Sequence, residues 1–428
     1  MFDISALASV DAGADEAGLV ERIAWLERVK SAAAAGQARA AAALDAKRRA
    51  SEAAAGVPRS RRGHGLASEV ALARREAPTC GGRHLGFAKA LVFEMPYTLA
   101  ALECGALSEW RATLIVRESA CLSVEDRQSL DAEMCADVAG LDGWGDKRIE
   151  AEAKKIAYRL DPQAVVDRMA KAEKDRNVSV RPAPDSMTYV TALLPVAQGV
   201  GVYAALKRAA DTTFDDRSRS QVMADTLVER VTGRPAEQAE PVAVNLVISD
   251  QTLLGDDEHP AVVDGYGPIP ASVARKVVAA AVADKKSVAT LRRLYRHPKS
   301  GALIAMESRA RRFPKALATF IGLRDQRCRT PYCDAPIRHR DHALPHHRGG
   351  PTDRVNGLGT CARCNYAKEA PGWQVRGSEV DGAHEADYIT PTGARYHSKA
   401  PPPPGPPPVT VSEVEMHISI ELANLHAA

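Results

Sequence analysis

Aromatic residues are scarce in this chain: 6 Phe, 4 Trp and 10 Tyr among 428 residues, 5% of the whole. Strands favour aromatic and β-branched side chains, so this scarcity, beside abundant alanine, argues against sandwiches and barrels and for a mainly helical protein. Long apolar runs are missing too. No stretch approaches the roughly 20 residues that a membrane span needs, and the opening MFDISALASVDAGADEAG lacks the basic region and apolar core of a signal peptide. No membrane partner is therefore expected, and the cytoplasm is the expected location. Disulfides are rare there, so Cys80, Cys104, Cys121 and Cys135, each alone in or beside a helical pattern, are expected as small buried apolar residues. A strong net charge is also absent, the formal total being +3. The charge is uneven, however: from Leu291 to Arg340 thirteen Lys or Arg stand against three acids. A basic segment of this kind points at a polyanion.

What is present divides into three regions. Residues 1–300 are expected to form a mainly helical domain with a small β element, 301–376 a second domain, and 377–428 a proline-rich, largely extended or disordered tail. Helical spacing runs over 14–55, 68–77, 86–104, 108–120, 146–160 and, after Asp161-Pro162, through Ala172. Ser108, Ser123 and Asp161-Pro162 read as helix starts, where a side-chain oxygen meets free amides and proline loses nothing. Residues 178–181, 187–194 and 241–248 read as strands of one small sheet, with helix over 199–232 between them, a turn over 265–270 and helix again over 271–283. Residues 401–408 are proline with one glycine, a stiff extended stretch, and 409–422 alternate as an edge strand would if ordered. The first 300 residues carry no chemical motif.

Chemistry is concentrated between Cys328 and Lys368. Cys328 and Cys333, four residues apart in the intervening count, are answered by Cys361 and Cys364 with two between. Paired thiolates at such spacings hold structural Zn²⁺ tetrahedrally, and four sulfurs leave no open position for water. The zinc should organise a segment too short and polar to fold by burial alone. Between the pairs lie Asp341-His342, a Gly349-Gly350-Pro351 turn and Asn356; Asn365, Lys368 and Glu369 follow.

Over residues 313–376 this pattern resembles the HNH nuclease motif, the ββα-metal fold: Asp341-His342, Gly349-Gly350-Pro351-Thr352, Asn356 with Leu358, Cys361, Cys364, Asn365, Lys368 and Gly372-Trp373. The upstream region is similar to the helical domain of unknown function that precedes such modules in a large bacterial family. The resemblance implies a metal-dependent endonuclease acting on nucleic acid, with DNA as the expected substrate and 5′-phosphate and 3′-hydroxyl as products. It implies His342 as general base, Asp341 as ligand of a catalytic Mg²⁺ or Mn²⁺, and Asn356 as the residue that holds the loop and orients the His342 ring. A near-neutral imidazole beside a hard cation suits water attack on phosphorus. Adjacent residues on a strand face opposite ways, so Asp341 and His342 need a strand end or loop to act together.

Where the family most often has a histidine ligand this chain has Asn365, whose amide oxygen suits Mg²⁺ or Mn²⁺ better than zinc. Glu369, four residues on and on the same helix face, is an additional candidate ligand. Lys368, Arg340 and Arg348 are expected to contact phosphate. His346 and His347 either reach metal or phosphate or are simply solvated. The alternative reading is a non-catalytic zinc module that binds nucleic acid or a protein partner through its basic approach.

Overall fold

A computed structural model describes residues 5–185, 187–236, 246–255, 257–263, 266–283 and 313–402. Two compact units divide the chain between Lys174 and Asp175. The boundary expected at residue 300, the basic residues from 291 to 312, most of the strand expected over 241–248, and the stretches 403–408 and 409–422 lie outside the described residues. The chain is mainly helical with small antiparallel sheets, as its composition suggested.

The first unit holds α1 (Ser5–Ala8), α2 (Glu16–Ala54), α3 (Leu66–Ala73), α4 (Gly81–Phe93), α5 (Pro96–Glu103), α6 (Glu109–Ser119), α7 (Val124–Cys135), α8 (Asp146–Leu160) and α9 (Pro162–Ala172). The expected caps are in place: Ser108 accepts from Arg111 N, Ser123 from Asp126 N and Asp161 from Ala164 N. α2 buries Ala34, Ala35, Ala38 and Ala42, one face of small side chains that packs with Phe87, Leu91, Leu102, Ile115 and Ile149 in a single core. The helix expected over 86–104 is broken in two, because Pro96 has no N–H to continue α4 and instead begins α5. The freed amides of Tyr97 and Thr98 donate to the buried Asp131 carboxylate, both at 2.8 Å. Of the four single cysteines only Cys135 is buried; Cys104 is exposed, and Cys80 and Cys121 are intermediate. Among the described residues no single helix is long and apolar enough to cross a membrane.

The second unit opens with a hairpin of β1 (Asn177–Pro182) and β2 (Thr188–Leu193), then α10 (Val196–Thr212) and α11 (Arg219–Thr232). β3 (Leu246–Val247), α12 (Asp250–Leu254), β4 (Ala261–Val263), β5 (Gly267–Ile269) and α13 (Ala271–Ala283) follow. Among the described residues the expected single sheet is two: β1 pairs with β2, and β3-β4-β5 form another. Part of the turn expected over 265–270 is strand β5, a sheet edge where Pro268 can sit without a missing ladder bond.

The last part builds the site. α14 (Lys315–Asp325) buries Leu317, Phe320 and Ile321. β6 (His339–His342) pairs antiparallel with β7 (Gly357–Thr360), His339 opposite Thr360 and His342 opposite Gly357, and α15 (Ala362–Lys368) follows β7 directly. Beyond it the loose tail expected from residue 377 instead begins as a sheet of β8 (Gln374–Val380), β9 (Ala383–Ile389) and β10 (Arg395–Lys399), in the order β10-β9-β8. Its inner face buries Val375, Ala386 and Tyr388 against Ala343 and Leu358. Gly, Ser and charged residues interrupt β8, which hid the alternation of inward positions.

His384 of β9 is buried among these, its Nε2 2.8 Å from Val355 O and its Nδ1 3.1 Å from Arg329 Nη1. Burial, with the charge of Arg324 nearby, pushes its imidazole from 6.5 down to about 4. The unfolded chain therefore takes up this proton first as pH falls, and stability drains between about pH 6.5 and pH 4, by up to about 3 kcal/mol from this group. Urea midpoints at pH 7.5 and pH 4.5 should diverge less for His384→Gln than for the wild type. An equal divergence would show that His384 is not responsible.

Candidate metal centre and adjoining polar site

Cys328 and Cys333 sit on a tight turn after α14, where Cys333 N donates to Thr330 O at 3.1 Å and Cys328 N to Ala335 O at 2.8 Å. Tyr332 and Asp334 take positive φ of 62° and 44° to turn the chain around the thiols. Cys361 follows β7 and caps α15, its Sγ accepting from Cys364 N at 3.4 Å. The four sulfurs are buried and lie within 4.8 Å of one another, with Cys333 Sγ 3.7 Å from Cys361 Sγ and 3.5 Å from Cys364 Sγ. These gaps are far too long for disulfides. A tetrahedron of metal–sulfur bonds of about 2.3 Å separates its sulfurs by about 3.8 Å, so the set fits a metal ion such as zinc. Hydrogen bonds among the thiols hold Cys328 and Cys361 below, and Cys333 and Cys364 above, the ordinary thiol range. Four neighbouring thiolates repel one another and need a cation to coexist. Among the described residues this is the one group of three or more Cys, His, Asp or Glu placed to hold a metal.

Asp341 and His342 close β6, and the strand end lifts the opposite-face constraint. The Asp341 carboxylate turns back so that Oδ1 accepts from His342 N at 2.9 Å and lies 3.5 Å from His342 Nδ1. The His342 ring is buried against Phe313, centroids 4.6 Å apart, with the His346 ring 5.6 Å away, and its Nε2 is 2.8 Å from Thr352 Oγ1. Burial lowers the His342 pKa against the opposing pull of Asp341, which keeps the ring neutral at physiological pH. Burial pushes Asp341 up, yet the Lys368 charge and hydrogen bonds from His342 N, Lys368 and Asn365 outweigh it and leave the carboxyl below its usual range.

Asn356 is bonded across the loop between β6 and β7. Its Oδ1 accepts from Leu344 N at 2.8 Å, and its Nδ2 donates to Leu344 O at 3.0 Å and Pro351 O at 2.8 Å. None of these bonds reaches the His342 ring, as the orienting role expected of Asn356 would need; the ring's bonded partner is Thr352 Oγ1. Gly350 permits the fold of the loop, since a Cβ there would lie 1.8 Å from Leu344 O. Thr352 stands in the Gly-Gly-Pro-Thr run, but nothing in the sequence says that its hydroxyl points at the ring.

The remaining predicted residues divide. Asn365 is buried on α15 and is among the groups that lower the Asp341 pKa, while its Oδ1 accepts from Thr360 Oγ1 at 3.2 Å. Lys368, expected as a phosphate contact, is instead buried, its side chain 2% exposed, with Nζ 3.2 Å from Asp341 Oδ2 and also bonded to Glu369 Oε1. Its helix face turns inward toward β6, which the residue type alone does not announce. Arg340 and Arg348 are exposed, as are Arg338 and Arg363. His346 and His347 are exposed on a short 3-10 turn, His346–Arg348.

The family described as Domain of unknown function (DUF222) matches residues 23–325. The chain belongs to the DUF222 family. The matched stretch ends at Asp325, the last residue of α14, so the four cysteines and Asp341-His342 follow the DUF222 region and lie outside it. No curated protein and no solved structure matches the chain.

Proposed function

We propose that the region after the DUF222 match is a metal-dependent endonuclease module of the HNH type that hydrolyses phosphodiester bonds in DNA, with a structural zinc at Cys328, Cys333, Cys361 and Cys364. The observation that carries this reading is the pair of Asp341 and His342, brought onto one side at the end of β6 and flanked by an Asn356-braced loop and by Asn365 of α15. The order β6, loop, β7, α15 supports it as well. Asp341, the Asn365 amide and Glu369 are oxygen donors of the kind that hold Mg²⁺ or Mn²⁺. A hard cation there supplies stabilisation of the charge that builds on phosphate oxygens. In the tautomer in which Nε2–H donates to Thr352 Oγ1, His342 keeps a lone pair on Nδ1 that can take the proton of the attacking water. Phe313 and Thr352 hold the ring still for that transfer, and exposed Arg340 and Arg348 attract the polyanion.

Full-length protein incubated with supercoiled plasmid and Mg²⁺ or Mn²⁺ is expected to nick it, and His342→Ala to cut about 10²- to 10⁴-fold more slowly, the usual contribution of a general base. Equal cutting by both proteins, or none by the wild type in either metal, would overturn the proposal. The Lys368 ammonium beside Asp341 favours a second reading, a zinc module that binds nucleic acid without cutting it. Salt-sensitive DNA retention by protein that never cuts would select that reading.

A further inference from the structure

Lys368 stands where an added cation would have to go. Of the two Asp341 oxygens, Oδ1 is committed to His342 N, and Oδ2, the one left for a ligand, is 3.2 Å from the Lys368 ammonium. The same ammonium is bonded to Glu369 Oε1, so both carboxylates that α15 and β6 offer converge on one positive charge. The lysine stem is buried at the last turn of α15, and the head is therefore built into the site instead of sweeping through solvent. The Asn365 amide oxygen accepts from Thr360 Oγ1 at 3.2 Å, so the oxygen that would serve a cation is already engaged.

We infer that Lys368 is the resident counter-ion of this oxygen site and sets its affinity for divalent cations, which enter only as the ammonium swings off Asp341. The inference rests on the proposed hard-metal position, but its consequence is a binding constant and not a rate. Two positive centres cannot share one carboxylate oxygen closely in a half-buried site without strong repulsion, so every bound cation works against the lysine. A lysine at this position gives a site that is stable without metal and fills only at high cation concentration.

The experiment uses the zinc-loaded full-length chain and Mn²⁺ alone, with free Mn²⁺ read by electron paramagnetic resonance. Lys368→Met is expected to bind Mn²⁺ at least about tenfold more tightly than the wild type, and Lys368→Arg, which keeps the charge, no more tightly. Asp341→Asn should abolish the binding in each background, which locates the site. Unchanged or weaker binding by Lys368→Met overturns the inference, since it would mean that the lysine supports the carboxylate more than it competes for it. Should Lys368→Met fail to fold by circular dichroism, the wild type decides: the ¹⁵N-lysine ammonium resonance absent from Lys368→Arg must shift as Mg²⁺ is added, and a resonance that stays put overturns the inference. Plasmid cutting with no difference in Mn²⁺ affinity overturns the inference alone. Tighter binding without any cutting leaves it standing and overturns the nuclease proposal.

Discussion

Stripping the metal from the four cysteines, or substituting Cys361→Ala, is expected to unfold the region from Phe313 to Lys399 while the helices of the first unit remain. The region's apolar clusters are small. One comprises Leu317, Phe320 and Ile321 with Phe313 and Leu323, another five buried residues around Leu358, and the four thiols with Ala335 make up a third cluster of their own. Without a cation, that third cluster is a set of buried thiols crowded within 4.8 Å of one another at the junction of the turn after α14, β7 and α15. Apparent zinc-binding free energies at such sites run to about 10–16 kcal/mol at neutral pH, more than a domain of this size retains as net stability. The first unit has its own continuous core from Ala34 through Ala157 and does not depend on the sulfurs. Limited proteolysis before and after a strong chelator, followed by mass spectrometry, reads the outcome. New cleavage sites should cluster within 313–399 and disappear when zinc is restored. Unchanged protection after metal loss would mean that the cysteines are packing residues only.

Spacing made the sulfur centre legible, because a thiolate pair on a short turn has few other uses. The helices of the first unit were legible where a cap or a proline marks an end, as at Ser108, Ser123 and Asp161-Pro162. Three features escaped for a common reason, namely that burial is decided by the partner and not by the residue. Val375, His384, Ala386 and Tyr388 alternate inward along β8 and β9, but one of the inward positions is a histidine, and the strands between are broken by Gly377 and Ser378. Lys368 reads as surface by type, yet its helix turns that face toward β6. Thr352 reads as turn residue until the loop braced by Asn356 delivers its hydroxyl to His342. The residues between which chemistry is proposed were visible in the sequence; the contacts that aim and charge them were not.

Asp325→Ala is expected to destabilise the same region by about 3–5 kcal/mol, the usual result of removing one partner from a buried charge network. Its carboxylate is fully buried and accepts four hydrogen bonds: Arg324 Nε at 2.7 Å and Nη2 at 3.0 Å, Arg329 Nη1 at 2.9 Å, and Gly359 N at 2.7 Å. Burial pushes this carboxyl up, but the two guanidiniums outweigh the effect and hold it below the usual range, so it is ionised at neutral pH. Arg324 extends the network to Gly357 O, and Arg329 extends it to Ser398 O at 2.8 Å and to His384. Two cations and one anion therefore share a dry site, which is also why His384 stays neutral: protonation would add a third cation. Deleting Asp325 leaves both guanidiniums buried without a counter-charge and removes the bond from Gly359 in β7, the strand that registers Asp341 and His342. Pairing Asp325→Ala with Arg324→Leu should recover part of the loss, because one uncompensated charge is removed with the other. Urea melts of the wild type, both single variants and the double variant decide the matter. A loss below about 1 kcal/mol for Asp325→Ala would mean that the network adds little to the fold, and a double variant worse than the sum of its singles would mean that the pair is held by shape rather than by charge.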